Sequence, residues 1–424
     1  MTARTSVTYS FAEEDLPLLK NKMLNWLRPF SIFTYLDNNG YKHAPVRYEL
    51  LAGAGTAAVC DHVPESTADW YFGHLCYDYK NKVEPHLSSN HPDRTGFDTV
   101  FFFCPETVVY ILCDSFTLHI ETLHADAASI LAQILAMPAM IAAEAATLSP
   151  VRWQYRFSRE DYLGSIGRIK QHIEEGDCYE LNFCTEAYAE VPQLDPVYTF
   201  SCLNAVNPAP FAALYRNDAS WLLCTSPERF LHREKEQLLS QPIKGTTRRD
   251  ADQGADESLK QALKADRKER AENVMIVDLV RNDLARSCKP GTVTVPELFG
   301  VYTFPQVHQL ISTVSGECLP GSTNRKIIDG AFPMGSMTGA PKVIVMELIE
   351  RYERSRRGLY AGTVGYIRPG GDFDFNVVIR SLLYHAADGY LSYQTGGAIT
   401  YESYAPAEWE ETRLKAKAME QIFL

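Results

Sequence analysis

Gly362-Thr-Val-Gly-Tyr-Ile-Arg368, Pro369-Gly-Gly-Asp372 and Phe373-Asp-Phe-Asn-Val-Val-Ile-Arg-Ser-Leu-Leu-Tyr384 read, in that order, as strand, turn and strand. The flanks are rich in β-branched and aromatic residues, and the Pro-Gly-Gly-Asp link supplies the backbone freedom of a hairpin. Asp388-Gly389 then turns the chain into a third strand, Tyr390 to Tyr393. Strands that follow one another through short turns pair antiparallel, whereas a doubly wound parallel sheet needs a helix between each pair. Upstream, Ser158-Arg-Glu-Asp161 is a capping signature, and Tyr162, Ile166, Ile169 and Ile173 recur at helical spacing. Gly176-Asp177 ends that helix, and Cys178 to Ala187 alternates as a strand. Thr412 to Phe423 closes the chain as a helix rich in Ala, Lys and Leu. The pattern is α+β.

Further out, Thr99 to Cys104, Val108 to Cys113 and Thr117 to Thr122 read as short strands of an N-terminal part. The composition shifts at Thr147 to Arg152, which divides the chain into residues 1–148 and 152–424, packed together as one compact unit. A chain of 424 residues, 46% of them hydrophobic, can bury a large core. The formal net charge is −12, which disfavours nucleic acid and membrane surfaces as partners. The most apolar stretch, Ala127 to Ala143, is interrupted by Gln133 and Pro138 and is too short to span a bilayer, so it reads as a core helix broken at the proline. Met1 to Leu16 has no signal-peptide pattern, and the ten cysteines form neither CxxC pairs nor zinc spacings, which suits buried thiols in a reducing cytoplasm.

Several clusters carry chemistry. In the helical stretch Lys264 to Asn282, Glu269 and Glu272 share a face; Glu408 and Glu411 repeat the spacing where the last helix opens, at Ala407 to Glu411. Paired acids repel unless a cation joins them, and oxygen-only ligands suit Mg. Either pair alone is equally an ordinary solvated face, which is the commoner case. In Gln241-Pro-Ile-Lys-Gly-Thr246, Lys244 sits in a tight turn or strand end, where burial would lower its pKa and make it a nucleophile; a surface lysine in a loop is the plainer alternative. Glu228, in Ser226-Pro-Glu228-Arg229-Phe230 after the strand Trp221 to Cys224, suits a general acid or an arginine's partner. Gly335-Ser-Met-Thr-Gly-Ala-Pro-Lys342 leads into the helix Val343 to Tyr352, so Thr338 and Lys342 are candidates for an anion site. Gly396, Gly397 and Ala398 end a strand where backbone can approach a ligand, and Arg380, in an apolar strand, requires an anionic partner.

Together these segments resemble the chorismate-binding family, which includes anthranilate synthase component I, aminodeoxychorismate synthase component I and the isochorismate and salicylate synthases. The resemblance runs from about Phe157 to Leu424 through SPERF, PIKGTTRRD, RAENVMIVDLVRNDLAR, FPMGSMTGAPK, YAGTVGY, DFNVVIRS, QTGGAI and EWEETRLKAKA, in the family's order. Gly73 to Glu84, GHLCYDYKNKVE, is similar to a further family segment. The resemblance implies a four-layer α/β/β/α sandwich, largely antiparallel, with the site in a deep cleft. It implies that Glu269, Glu272, Glu408 and Glu411 hold Mg and, through it, the substrate's ring carboxylate. Tyr360, Arg380 and Gly396 match positions that bind substrate carboxylates, with Gly397 and Ala398 completing that strand end. Gly245 and Thr246 line the ring pocket, and Glu228 matches the acid near the departing hydroxyl.

Lys244 stands where anthranilate synthases of this family carry Ala, and PIKGT belongs to its aminodeoxychorismate synthase branch. The resemblance therefore implies amination of chorismate at C4 through a covalent Lys244 intermediate, toward 4-aminobenzoate and folate. Anthranilate synthase is the first alternative, isochorismate or salicylate synthase the second, and a non-catalytic subunit the least favoured. No glutaminase elbow surrounds any cysteine and the chain closes in the family's last helix, which implies ammonia from a separate glutamine amidotransferase and no fused lyase. Three features depart from the family. Val307-His308-Gln309-Leu310-Ile311-Ser312 sets a histidine one position early, so a structural role for His308 stands beside an acid/base one. The strand end reads Gly-Gly-Ala, and Leu50-Leu51-Ala52-Gly53 lacks the serine and acid of the family's tryptophan site, which argues against tryptophan feedback.

Overall fold

The computed structural model describes residues 4–42, 45–65, 68–139, 148–304 and 307–424. The joint at Thr147 to Arg152 and the end of the Ala127 to Ala143 segment lie partly outside them. Two antiparallel sheets, of twelve and ten strands, form the middle layers of an α/β/β/α sandwich. Strand alternation sorts the core. Leu222 and Cys224 of the first sheet meet Phe72, Phe102, Leu231 and Phe375 of the second in one cluster. Leu223, Leu382 and Tyr384 point the other way, into a cluster with Met23, Leu27, Phe200 and Met419 from the outer helices. Helices Gln253–Ala265 and Arg267–Ala285 pack on the second sheet, against strands Ile243–Arg248 and Val307–Glu317.

Neither sheet respects the compositional division near residue 150. In the first, Ile32–Asp37 pairs with Phe211–Asn217; in the second, Tyr71–Leu75 pairs with Thr363–Ile367. The strand Thr117–Thr122 falls where its alternation puts it, while its neighbours run Val100–Cys104 and Thr107–Leu112. Gly53 has no room for a side chain, because a Cβ there would stand 2.8 Å from the Phe72 ring. No helix among the described residues is long and apolar enough to cross a membrane, and all ten cysteines are free thiols.

Three expectations of local structure change. The stretch from Lys264 to Asn282 is not one helix: Gln253–Ala265 ends, Asp266 caps the next by accepting from the Glu269 amide, and Arg267–Ala285 begins. Phe373 to Tyr384 is not one strand. Phe373–Asn376 belongs to the second sheet and Ser381–His385 to the first, and Val377 to Arg380 cross between them. Arg380 therefore lies outside regular strand, with φ of 52°. The last helix starts earlier than Ala407, at Ala405, with proline in its first turn.

Candidate active site

The crossing segment brings Arg380 to a cleft between the sheets. The cleft is lined by Glu228, Lys244, Gly245, Thr246, Tyr360, Arg380, Gly396 and Ala398, joined by Asn182, Gln309, Ser336 and Lys415. Lys244 reaches it because its strand is bulged. Ile243 pairs with Ile311 and Thr246 with Gln309, so one extra residue is inserted, and Gly245 takes a φ of 101°. A Cβ on Gly245 would lie 3.0 Å from Glu269, which sets this strand directly against the acid-bearing helix.

The Lys244 ammonium lies 2.6 Å from the carboxylate of Glu180, whose side chain is 2% exposed. Burial alone would lower the lysine's pKa, but Glu180, Glu272 and Glu411 outweigh it and hold the group above its ordinary value. The sequence-based expectation of a depressed lysine is corrected: the Lys244 side chain is mostly buried and ion-paired, and its pKa is shifted up. Glu228 is buried, and burial pushes its carboxyl up to about 7 against a hydrogen bond from Ser336 and the charge of Lys244. The Arg380 guanidinium takes part in no hydrogen bond or ion pair among the described residues, and burial lowers its pKa. A cation so placed in a cleft is a site for an anion. The buried Tyr360 hydroxyl lies 3.7 Å from the Cys184 sulfur.

The four glutamates converge from two helices around Lys268. Its ammonium lies 3.7 Å from Glu272 and 3.9 Å from Glu408. Glu411 pairs with Lys415 at 2.6 Å, and Gly397 faces Glu408 and Glu411. Burial raises Glu269, Glu408 and Glu272, the last to about 7, whereas Lys415 pulls Glu411 down. One buried oxygen of Glu272 has no hydrogen-bond partner. An all-carboxylate donor set, one of whose buried oxygens has the Lys268 ammonium nearby but no hydrogen bond, fits a hard divalent cation such as Mg. No three of these acids yet converge within 4.8 Å; the trio that does, among the described residues, is the more exposed His172, Glu175 and Asp177.

Three candidates stand apart from the cleft. His308 is buried on the opposite face of its strand, between Asp256 at 3.0 Å and Thr303 at 3.0 Å. Alternation puts Gln309 into the cleft instead. Thr338 turns its hydroxyl onto the Met334 and Gly335 carbonyls, and Lys342 pairs with Asp283 at 2.7 Å. This segment still shapes the site. The Asn182 amide donates to the Thr338 carbonyl, and Arg357 ties Met337 to Asn182. Sequence reasoning passed over Glu180, Lys268 and Lys415. Lys415 had a signal, four residues after Glu411 on a helix; Glu180 had only its place in an alternating strand.

Comparison with known proteins agrees with this architecture. The chorismate binding enzyme family matches residues 35–421. Aminodeoxychorismate synthase component 1 of Klebsiella aerogenes is 41% identical over 260 residues, 61% of this chain and 57% of that protein. This chain's match thus spans little more than half the length of that relative. An anthranilate synthase component I-like protein of Synechocystis is 30% identical over 393 residues, 92% of this chain and 78% of that protein. Among solved structures, anthranilate synthase component I from Streptococcus pneumoniae superposes with a TM-score of 0.74 at 23% identity, covering 99% of this chain and 93% of that one. The menaquinone-specific isochorismate synthase MenF of Escherichia coli does so with 0.77 at 17% identity, covering 100% and 95%. The fold is that of the chorismate-utilising enzymes. The chain belongs to the chorismate-binding enzyme family.

Proposed function

We propose that this protein aminates chorismate at C4, as an aminodeoxychorismate synthase component I, to give 4-amino-4-deoxychorismate for 4-aminobenzoate and folate synthesis. The observation that carries the reading is Lys244, re-aimed by a bulge into a cleft that also holds Glu228 and an unpaired Arg380. Arg380 and Tyr360 receive the enolpyruvyl carboxylate. Glu269, Glu272, Glu408 and Glu411 would hold Mg, which when bound supplies positive charge to the ring carboxylate. Lys244, once neutral, attacks C2 as the C4 hydroxyl departs with a proton from Glu228. Ammonia then attacks C4 and expels the lysine, and the pyruvyl group is retained. The ammonia comes from a separate glutamine amidotransferase, and the setting is the cytoplasm.

The 92% coverage by an anthranilate synthase component I-like protein favours one second reading, direct attack of ammonia at C2. Lys244 opposes it by occupying that approach. The test is a product assay with chorismate, Mg and an ammonium salt, with and without added 4-amino-4-deoxychorismate lyase. 4-Aminobenzoate should appear only with the lyase, and Lys244→Ala should lose most of it. Fluorescent anthranilate formed without the lyase would give the second reading the site.

A further inference from the structure

We propose that Glu180 is the proton acceptor that frees Lys244 for attack. The proposal rests on the amination reading, in which the Lys244 amine is the nucleophile. Its observation is geometric. Of the acids around Lys244 among the described residues, only Glu180 lies within ion-pairing distance, at 2.6 Å. The others that face it are Glu228 after strand Ser220–Ser226, Glu269 and Glu272 on helix Arg267–Ala285 and Glu411 on helix Ala405–Gln421. Glu272 and Glu411 have Lys268 and Lys415 as their ion-pair partners, and Glu228 is the proton donor at C4.

Glu180 is also held in place. The amides of Tyr179 and Asn182 donate to Ala340 and Thr338, which pin the strand on both sides of it. Its second oxygen is buried with no hydrogen-bond partner, so the carboxylate has spare capacity for a proton and no other evident purpose. A buried acid and base in contact can exchange a proton without solvent.

The step balances. A proton moves from the Lys244 ammonium to a Glu180 oxygen, and the nitrogen lone pair forms the bond to C2. The ring double bonds shift and the C4–O bond breaks, and the hydroxyl leaves as water with the Glu228 proton. When ammonia attacks C4 and the N–C2 bond breaks, Lys244 departs as an amine and recovers its proton from Glu180. The C4 ammonium returns one proton to Glu228.

The experiment is the pH dependence of kcat for Glu180→Gln in the full chain, using chorismate, ammonium salt, Mg and the coupling lyase. Glutamine keeps the size and one acceptor oxygen but is no base. At neutral pH kcat should fall roughly 100-fold, the size of a lost general base, with the chorismate KM within about twofold. The deficit should narrow as pH rises and solvent takes the proton. Glu180→Asp, which keeps a carboxylate, should turn over faster than Glu180→Gln at neutral pH. Wild-type kcat and profile in Glu180→Gln, or an aspartate variant no faster than the glutamine one, overturns the proposal. If the wild-type chain makes no 4-amino product, the amination reading and this proposal fall together. If Lys244→Ala abolishes product and Glu180→Gln does not, only the Glu180 assignment falls.

Discussion

If Glu228 is the general acid of the proposed amination, one proton links activity to stability. Burial is the largest cause of the Glu228 shift and raises it from an ordinary 4.5 to about 7, so near neutrality it remains substantially protonated and able to donate. A general acid works in its protonated form, so kcat should decline as pH rises through about 7. Glu228→Gln should lose that limb and run roughly 100- to 10,000-fold slower. The same shift affects folding. A folded pKa above the unfolded one gives stability that is full below about 4.5 and is lost as pH rises through about 7. The loss is on the order of 3 kcal/mol for such a shift. Glu228→Gln removes this dependence, so its melting temperature should gain on wild type between pH 5 and 8. Parallel melting curves across that range would sink the assignment. Glu228 and Lys244 stood out in the sequence because they sit in short motifs beside Pro and Gly. Glu180 did not: its meaning is a partner 64 positions away, and an acid in an alternating strand carries no mark of what it will touch.

At the level of elements, the sequence misled where a run of one propensity continued across a break. Phe373 to Tyr384 is apolar at most positions and has no Gly or Pro, so nothing local announces that it changes sheets at Val377 to Arg380. The change is what delivers Arg380 to the cleft rather than to a strand face. The break at Asp266 was readable, since Asp266 and Glu269 have the spacing of a cap, but helical propensity continues across it. That cap fixes the first turn on which Lys268, Glu269 and Glu272 sit. The two acid-bearing helices make a joint prediction. Glu272→Ala should weaken Mg binding by at least the roughly 10- to 100-fold that loss of even an outer partner costs a metal site. Lys268→Met, which removes the ammonium lying between Glu272 and Glu408, should tighten it. Both are read by calorimetric titration of Mg into the chain without substrate. An unchanged isotherm for Glu272→Ala would take the metal away from these helices.

For the whole molecule, the question is whether residues 152–424, which carry every candidate catalytic residue, form a unit of their own. The compositional shift near residue 150 invites that reading, and the sheets oppose it. Removing residues 1–148 strips Ile32–Asp37 from Phe211–Asn217 and Tyr71–Leu75 from Thr363–Ile367, leaving open edges in the middle of both sheets. It also takes Leu51, Phe72, Phe102 and Phe103 out of the cluster between the sheets, which contains Phe183, Leu222 and Phe375. Each large apolar side chain lost from such a core costs about 2–5 kcal/mol, against a total stability of about 5–15 kcal/mol. The fragment 152–424 should therefore be without a cooperative fold, showing no near-UV circular dichroism and a broad urea profile, while the full chain unfolds in one transition. A sharp, reversible transition in the fragment would mean that the cleft stands without its N-terminal strands. The expected collapse would mean that the strand carrying Thr363 and Tyr366 and the crossing to Arg380 are held in register by strands more than 280 residues earlier.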